Sequence, residues 1–427
     1  MILQFKIKNF RSIKEQLTIS FVPSTKSKND KAQTNIIEKG GYKALSSMVL
    51  YGRNASGKSN ILYALNSFMQ LIFQSQNFRF KETLEAYEPY IFDFESRNQP
   101  IEMEIDFVAL DNILYKYSIK YNSTKIIYES LHFYPNKKLS ELYIRDNDNF
   151  SFGDYYKGEK KNIIDNLLEN QLFLSKAVTN KIKYLIDVFS YFAFQLRSTL
   201  IADKAKDLYK DLVAKEILDK SLLSKNIRMF IKAADTNISD IMINLNSLEA
   251  TTYKNDDWYM INKDIMQFRY KIESQHNLFD KNQLIGKENL DFNNESAGTQ
   301  KLLHISNFVL SILFNGGTLI IDELDSSLHP LLSKMLIKLF QSKKNNPNNA
   351  QIIFTTHDSS LLDNELFRRD QICFVEKNYE GGTEIYKLSD LKGVGKNVPY
   401  EKWYLSGRFA AIPVLSDFEL DFGSENK

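Results

Sequence analysis

Two glycines separated by four residues, then lysine and serine, form the stretch of this sequence with the clearest chemistry. Gly52 and Gly57 match the pattern G-x-x-x-x-G-K-[ST]. Glycines let backbone N–H groups surround phosphate oxygens, and the start of a following helix adds positive potential. We expect Lys58 to contact the β- and γ-phosphates of a nucleotide, and the Ser59 hydroxyl to bind Mg²⁺. The predicted phosphate-binding residues are Gly52, Arg53, Asn54, Ala55, Ser56, Gly57, Lys58, Ser59 and Asn60.

The residues on either side of this loop have the patterns that a phosphate-binding loop requires. Residues 47–51 are an apolar run typical of a buried strand, and residues 60–74 have the pattern of a helix. A chance glycine turn before a helix is the alternative interpretation. The strand, loop and helix occur in the required order, which favours the phosphate-binding interpretation.

Two further apolar runs end in residues that can do chemistry. Residues 317–323 predict a parallel strand that ends in Asp322 and Glu323, and residues 351–358 predict a second strand with His357 at its tip. Open α/β sheets bind ligands at the carboxyl ends of their strands. We expect Asp322 to orient Mg²⁺, Glu323 to polarise an attacking water, and His357 to sense the γ-phosphate.

Each of these features has an ordinary structural explanation when it is taken alone. Adjacent acidic residues after a strand are common, and a histidine at the end of a strand usually only packs against its neighbours and binds no ligand. Together, and behind a phosphate-binding loop, they predict a nucleotide-hydrolysing site. No [NT]KxD element of the kind that reads guanine occurs, which disfavours a GTPase of the classical type.

The first part of the chain has the pattern of an antiparallel sheet. Residues 2–10 alternate apolar and polar side chains, and residues 17–21 are the expected hairpin partner. Residues 101–107 and 115–121 alternate in the same way around a short turn. Several tyrosines lie here, and half-buried sheet positions explain them better than a surface for stacking bases.

The middle of the chain has helical periodicity between about residues 180 and 246, whereas residues 171–175 are a short apolar run that we expect to enter the main sheet. The fold prediction is α/β, a P-loop nucleotide hydrolase with a mixed central sheet, an antiparallel sheet and a helical insertion. The predicted domains are residues 1–174 (N-terminal lobe), 175–287 (mainly helical insertion) and 288–427 (C-terminal lobe).

Composition limits the possible classes of protein. A net charge of +2 over 427 residues shows no overall basic bias, so nucleic acid is not indicated, although it stays open as a ligand. The single cysteine, Cys373, excludes an internal disulfide and lies in an apolar run typical of a buried strand. No run of 18 apolar residues and no signal peptide occur, so we expect a cytoplasmic protein without a membrane partner.

The order of these motifs resembles the ABC-type ATPase heads of the SMC/RecF/OLD group. The segment Ile7 to Ser12 resembles the N-terminal element of that group, in which Arg11 and Ser12 would approach the nucleotide. The resemblance implies ATP and Mg²⁺ as cofactors and a homodimer, or a larger homo-oligomer, built from ATP-sandwiched heads. It also implies further site residues, namely Ser296 and Gly298 capping the γ-phosphate bound by Lys58 of the other head, Asp325 in the D-loop, and Gln171 as a metal-contacting glutamine.

Two departures narrow the resemblance. The signature reads Glu-Ser-Ala-Gly-Thr-Gln at residues 295–300 rather than Leu-Ser-Gly-Gly-Gln, and residues 403–413 form an additional motif. In both features the sequence resembles a narrower group, the stand-alone AAA-type ATPases of anti-phage abortive-infection systems. This group includes the RloA/AbiL-type and PARIS AriA-type proteins. Long SMC arms and the nuclease domain of OLD proteins are not found in the sequence.

This narrower resemblance implies a function in defence. The protein would be the sensor and regulator of a two-component system that controls a separately encoded effector, a nuclease or toxin, until a phage protein triggers it. One alternative is a RecF-like repair ATPase that clamps DNA. Another is a nucleotide-gated scaffold in which hydrolysis is incidental.

Overall fold

The computed structural model describes residues 1–28, 30–180, 182–202, 206–219, 221–234, 237–246, 269–395 and 397–412. Two large sheets organise these residues, and the longest helices pack against them. Pro413, the last residue of the C-terminal motif, lies outside the described residues, as do residues 247–268 of the predicted insertion.

The first large sheet has seven strands and is antiparallel throughout. Its strands are β1 (Ile2–Lys8), β2 (Leu17–Ser20), β6 (Ile101–Val108), β7 (Leu114–Tyr121), β8 (Ile126–Phe133), β9 (Ser140–Asp146) and β10 (Asn149–Phe152). They lie in the order β10-β9-β8-β7-β6-β1-β2. The two hairpins predicted from the alternating patterns, β1 with β2 and β6 with β7, are confirmed.

The second large sheet has six strands and is mixed. Its strands are β5 (Ser47–Tyr51), β11 (Leu196–Ser198), β15 (Thr318–Ile321), β16 (Gln351–Thr355), β17 (Ile372–Lys377) and β18 (Thr383–Lys387). The order is β11-β15-β16-β5-β17-β18, with only the β17–β18 pair antiparallel. The predicted α/β fold with a mixed and an antiparallel sheet is therefore confirmed.

Alternate side chains of the mixed sheet point into two different hydrophobic cores. On β5, Met48 and Leu50 join the core that faces the antiparallel sheet, whereas Val49 and Tyr51 join the core on the other face. Strands buried on both faces read as continuous apolar runs, because successive side chains point to opposite sides of a sheet. Cys373 lies in β17, and its burial raises the pKa of its thiol to about 11.

Ten α-helices accompany the sheets among the described residues. They are α1 (Lys58–Gln74), α2 (Lys161–Asp165), α3 (Phe173–Ala177), α4 (Lys183–Ser190), α5 (Thr199–Ala202), α6 (Lys206–Leu218), α7 (Leu222–Ala233), α8 (Ala297–Asn315), α9 (Pro330–Gln341) and α10 (Tyr400–Leu405). Helix α1 contributes to the core that faces the antiparallel sheet, where the ring of Phe68 lies 5.8 Å from that of Phe5 and 5.7 Å from that of Tyr117. In the part of the chain that the structure describes, no helix has the length and hydropathy needed to cross a membrane.

Two smaller sheets complete the fold. Strands β3 (Ile36–Lys39) and β4 (Tyr42–Leu45) form a hairpin, and a three-stranded antiparallel sheet contains β12 (Asp240–Asn246), β13 (Arg269–Asp280) and β14 (Gln283–Asp291). The structure differs here from the sequence prediction, because most of the three-stranded sheet falls within the segment predicted to be mainly helical. Helices α4 to α7 do occur in that segment.

The prediction that residues 171–175 add a strand to the main sheet is wrong. Helix α3 begins at Phe173, where the backbone N–H groups of Phe173 and Leu174 donate to the Glu129 carboxylate at 2.6 and 2.9 Å. Strand β11 instead pairs with β15 at the edge of the sheet. A short apolar run cannot be assigned to helix or strand from periodicity alone.

Several tyrosines of the antiparallel sheet are core residues. Tyr115, Tyr117 and Tyr121 are fully buried, and Tyr143 is buried beside them. Burial raises the pKa of the Tyr117 and Tyr143 hydroxyls well above the ordinary value, and the neighbouring Glu129 carboxylate raises it further. Their burial confirms the interpretation of these positions as sheet packing rather than a base-stacking surface.

Candidate functional site

Close packing explains both glycines of the phosphate-binding loop. The loop connects the end of β5 at Tyr51 to the start of α1 at Lys58. A Cβ atom on Gly52 would lie 2.3 Å from the carbonyl oxygen of Val375, and one on Gly57 would lie 2.1 Å from Thr383 Oγ1. Gly57 also has φ 106°, a conformation that favours glycine. Any side chain at either position would therefore displace the loop.

The middle of the loop faces outward, except for Ser56. Asn54 and Ala55 are exposed and Arg53 is half-buried, whereas Ser56 is buried. The Ser56 N–H donates to the Arg53 carbonyl at 3.2 Å, which closes a tight turn before α1. The predicted phosphate-binding residues therefore form one compact loop at the N-terminus of a 17-residue helix.

Lys58 is held at the centre of this loop. Its side chain is buried, and its ammonium donates to the carbonyl oxygens of Gly52 at 2.8 Å and Arg53 at 3.1 Å. Burial lowers the pKa of Lys58, and the carboxylates of Asp322, Glu323 and Asp325 oppose that change. The cation thus lies in the field of the acidic residues that follow β15.

Ser59 and Asp322 meet at the carboxyl edge of the mixed sheet. The Ser59 hydroxyl donates to Asp322 Oδ1 at 3.1 Å, and the Thr355 hydroxyl donates to the same oxygen at 2.5 Å. Strand β16, which ends at Thr355, lies between β15 and β5, so Thr355 bridges the two sides of the site. Hydroxyl and carboxylate oxygens are the ligands that Mg²⁺ prefers, and this pair therefore fits a magnesium ion.

Glu323 is the second residue after β15 and has a left-handed backbone conformation, with φ 49°. Its N–H donates to Thr355 Oγ1 at 2.7 Å, and the next N–H, of Leu324, donates to the Thr355 carbonyl at 3.0 Å. These two bonds fix the sharp turn after the strand. Thr355 was not predicted as a site residue, yet it orients both neighbouring acids.

His357 and Asp325 are connected through the backbone. The N–H of His357 donates to the Asp325 carboxylate at 3.2 Å, and the His357 side chain is exposed just beyond the end of β16. Asp325 begins the loop that leads to α9, where His329 caps the helix by accepting from the Leu331 N–H. The structure therefore places the predicted histidine just after the strand next to β5, at the same edge of the sheet as Lys58.

Ser296 and Gly298 lie at the N-terminus of α8. The Ser296 side chain caps the helix by accepting from the Thr299 N–H at 3.1 Å, and Ser296 itself is exposed. A Cβ atom on Gly298 would lie 2.6 Å from the Ser327 carbonyl oxygen. The signature helix therefore packs against the loop that follows Glu323 and needs glycine at this contact.

Arg11 packs onto the first turns of α1. Its guanidinium donates to the Glu88 carboxylate at 2.7 and 2.9 Å and lies 4.2 Å from the centre of the Tyr63 ring. A weaker contact of 3.5 Å reaches Asn60 Oδ1. Arg11 is thus beside the phosphate-binding helix, although its charge is engaged by Glu88.

Ser12 reaches the phosphate-binding loop through a residue that sequence reasoning missed. Asn60 Nδ2 donates to Ser12 Oγ at 2.7 Å, and Ser12 Oγ is hydrogen-bonded to Thr383 Oγ1 at 2.8 Å. Thr383 Oγ1 also donates to the Ser56 carbonyl at 3.0 Å. Thr383 begins β18, far away in sequence, and no local motif indicates its role.

The prediction of Gln171 as a metal ligand is contradicted by its contacts. The side-chain nitrogen donates to the carbonyls of Gln76 and Phe78, both at 3.1 Å, and the side-chain oxygen accepts from the Leu168 N–H at 3.2 Å. These contacts lie beyond the C-terminus of α1, whereas Ser59 is at its N-terminus. A helix of 17 residues is about 25 Å long at ~1.5 Å per residue. Gln171 therefore joins two loops away from the site.

The C-terminal motif packs beside the end of β5. The ring of Tyr404 lies 5.7 Å from that of Tyr51, whose hydroxyl donates to the Asp358 carbonyl at 3.0 Å. The Ala411 N–H donates to Glu376 on β17. The motif thus packs against Tyr51, which bonds to the residue after His357, and its Ala411 occupies the Glu376 carboxylate.

Comparisons with known proteins identify a family. The family model described as "AAA domain, putative AbiEii toxin, Type IV TA system" matches residues 47–363. No curated protein sequence matches the chain.

Among solved structures, the chain is similar to SMC heads at low identity. An SMC head bound to the C-winged helix domain of ScpA has 14% identity and a TM-score of 0.42, covering 90% of this chain and 97% of that one. The SMC head domain from Thermotoga maritima has 13% identity and a TM-score of 0.40, covering 90% and 98%. An SMC head from Pyrococcus yayanosii, with a coiled coil and joint, has 11% identity and a TM-score of 0.42, covering 96% and 99%.

Proposed function

The chain belongs to this AAA-domain family, and from that premise we propose that it is a Mg²⁺-dependent ATPase whose active sites form between two heads. One observation carries the proposal. Lys58, the Ser59–Asp322 pair and Glu323 converge at one edge of the mixed sheet, although Ser59 and Asp322 are 263 residues apart in the sequence. A phosphate-binding loop and a strand-end carboxylate pair are the parts that phosphoryl transfer from a nucleotide requires.

Binding is the task of the loop and its helix. The backbone N–H groups of residues 52–59 would hold the phosphate oxygens, with Lys58 supplying a positive charge to the β- and γ-phosphates. Ser59 and Asp322 would hold Mg²⁺, directly or through water. The bound metal supplies charge neutralisation at the phosphates.

Hydrolysis needs an oriented water, and Glu323 is the proposed residue that polarises it. Two hydrogen bonds to Thr355 fix the backbone at Glu323 and Leu324, so the Glu323 carboxylate extends from a rigid turn. His357, exposed at the adjacent strand end, is proposed to contact the γ-phosphate. Its backbone bond to Asp325 would couple that contact to the loop after Glu323.

A second head is proposed to complete each site. Ser296 and Gly298 present the N-terminus of α8, which is exposed and suited to bind an anion. In a head-to-head pair, this helix of one protomer would cap the γ-phosphate bound by Lys58 of its partner. Asp325 would lie at the same interface.

The proposed biological role is regulation of a defence response. The description of the family names a toxin of a toxin–antitoxin system, and the signature and C-terminal motifs resemble RloA/AbiL-type and PARIS AriA-type ATPases. We propose that ATP-driven closure of the heads holds a separately encoded effector, a nuclease or toxin, until a phage protein appears. If the purified chain alone cleaved DNA or RNA through its own active site, the two-component part of this role would be wrong.

ATP turnover by three forms of the chain tests the proposed activity. Lys58→Ala should lose ATP binding, because the phosphates lose their main charged partner. Glu323→Gln should bind ATP normally but turn it over at least ~100-fold more slowly, the usual effect of removing a general base. Normal ATP affinity in Lys58→Ala, or wild-type turnover in Glu323→Gln, would contradict the assignment of the site.

A further inference from the structure

Glu295, the residue directly before Ser296, is attached to the three-stranded sheet. Its carboxylate accepts from His276 Nε2 at 2.7 Å and from the Ser274 hydroxyl. Only 10% of the Glu295 side chain is exposed. The signature position that is leucine in the transporter pattern is thus a carboxylate with two specific hydrogen-bond donors.

The strand that supplies these donors is well fixed. Ser274 and His276 are two residues apart on β13, so their side chains share a face of the sheet. β13 is the central strand, paired with β12 on one side and β14 on the other. Ile272 on β13 and Ile241 on β12 are buried in the hydrophobic core that α8 also joins. The donors are therefore held in place relative to α8.

The same short loop is held from the helix side as well. Gln300 Nε2 donates to the carbonyl oxygens of Asn293 and Glu295, each at 2.9 Å. The side chain of Ser296 meanwhile caps α8. The segment between β14 and α8 is thus fixed through the Glu295 side chain on one side and through its backbone on the other.

Charge gives these contacts a reason. The N-terminus of α8 favours the binding of an anion such as a phosphate. If the Glu295 carboxylate were free to turn toward that end of the helix, its negative charge would repel the phosphate. Hydrogen bonds to His276 and Ser274 turn the Glu295 carboxylate toward the sheet. They leave the end of the helix open to a phosphate.

We propose that His276 and Ser274 are positioning residues for the signature: by binding Glu295 they set Ser296 and the start of α8 for the ATP bound by the other head. This inference rests on the proposed two-head ATPase. The side-chain hydrogen bonds of both residues are with each other, Glu295 and the Leu290 carbonyl. In the proposed pair, where Ser296 caps the ATP of the other head, either residue would therefore act on the site of the partner protomer. Because the effect would act on the partner's site, activity can be restored in mixed pairs of two different variants. A variant that simply failed to fold would not restore activity in this way.

The first measurement is steady-state ATP turnover by His276→Ala, His276→Gln and the control Asn277→Ala. His276→Ala should reduce turnover on the order of tenfold, as expected when a hydrogen bond to a charged group is removed, with unchanged ATP affinity. Glutamine keeps an N–H donor for the carboxylate and should restore most of the activity. Asn277 is the exposed neighbour on the opposite face of β13, and its alanine variant should match the wild type.

The decisive step mixes His276→Ala with Glu323→Gln. In a mixed pair, one of the two sites is complete. It combines the intact signature of the Glu323→Gln chain with the intact Lys58 and Glu323 of the His276→Ala chain. Turnover of the mixture should therefore exceed the sum of the two variants measured separately. Turnover equal to that sum, with mixed pairs shown to form, would overturn the inference, as would wild-type turnover by His276→Ala.

The outcomes separate this inference from the proposed function. If the wild-type chain itself fails to hydrolyse ATP, or Glu323→Gln stays fully active, the proposed ATPase is wrong and the inference falls with it. If those two behave as expected and only complementation is missing, the ATPase stands and the positioning role is wrong.

Discussion

Thr383 lies more than three hundred residues after Gly57, yet its hydroxyl helps to hold the phosphate-binding loop. It bonds to the Ser12 hydroxyl and donates to the Ser56 carbonyl at 3.0 Å. The same oxygen lies 2.1 Å from where a Cβ atom of Gly57 would be. The Thr383 hydroxyl therefore contacts the phosphate-binding loop at both Ser56 and Gly57.

Thr383→Val keeps the shape of the side chain and removes both hydrogen bonds. Leaving the buried Ser56 carbonyl unpaired costs about 1–3 kcal/mol, part of which should appear as weaker ATP binding because the loop is less well ordered. We expect the ATP dissociation constant to rise about fivefold, equivalent to roughly 1 kcal/mol. Titration of ATP measures it, and Thr383→Ser, which retains the hydroxyl, should bind nearly as the wild type does. Equal affinity in Thr383→Val and the wild type would contradict this role.

At the scale of elements, one buried carboxylate connects the antiparallel sheet to helix α3. Glu129 on β8 accepts from the hydroxyls of Tyr117 at 2.9 Å and Tyr143 at 2.6 Å. It also accepts from the N–H groups of Phe173 and Leu174 at the start of α3. Three neighbouring strands and one helix thus share a single acceptor that is fully buried.

Glu129→Ala should destabilise the fold by on the order of 3 kcal/mol, because four buried donors lose their acceptor at once. Urea unfolding measures the change in the free energy of unfolding. Glu141→Ala, on the neighbouring strand β9 and bonded to Ser151 near the surface, is the matched control and should change stability by less than ~0.5 kcal/mol. Similar losses in the two variants would argue against a special role for Glu129.

Elements defined by local patterns could be predicted from the sequence. The alternating strands β1, β2, β6 and β7 and the strand–loop–helix at Gly52 to Ser59 follow from periodicity and glycine positions within a few residues. Strand β11 could not be predicted, since its pairing with β15 depends on residues more than a hundred positions away. The β13–β14 hairpin was missed for a related reason, because β14 is largely exposed and lacks a buried face to give a clean alternation.

The same distinction applies to the candidate site. Lys58, Ser59, Asp322 and Glu323 carry sequence motifs, and the structure brings them together. Thr355 and Thr383 each contribute a single hydroxyl from strands that are far from the phosphate-binding loop in sequence. A single threonine does not form a recognisable sequence motif. Gln171 was assigned by its order in the chain alone, and its contacts show that order does not determine position in the fold.

At the scale of the whole molecule, the proposed ATPase requires two heads that meet through ATP. The Ser296 end of α8 is exposed, and Lys58 lies at the carboxyl edge of the mixed sheet, so each head would supply one half of the proposed composite site. Closure would bury the nucleotide between these halves. Hydrolysis would then release the pair, which is the property a regulator of an effector needs.

The most direct test of this claim is the molar mass of Glu323→Gln by light scattering, with and without Mg²⁺-ATP. The chain has a mass of 49.7 kDa. We predict that Mg²⁺-ATP doubles the mass of the particles that are present without ATP, because it joins them in pairs. Adding Ser296→Arg should abolish the change while ATP still binds, because arginine blocks the cap from the second head. An unchanged mass in Glu323→Gln, with ATP bound, would contradict the two-head site.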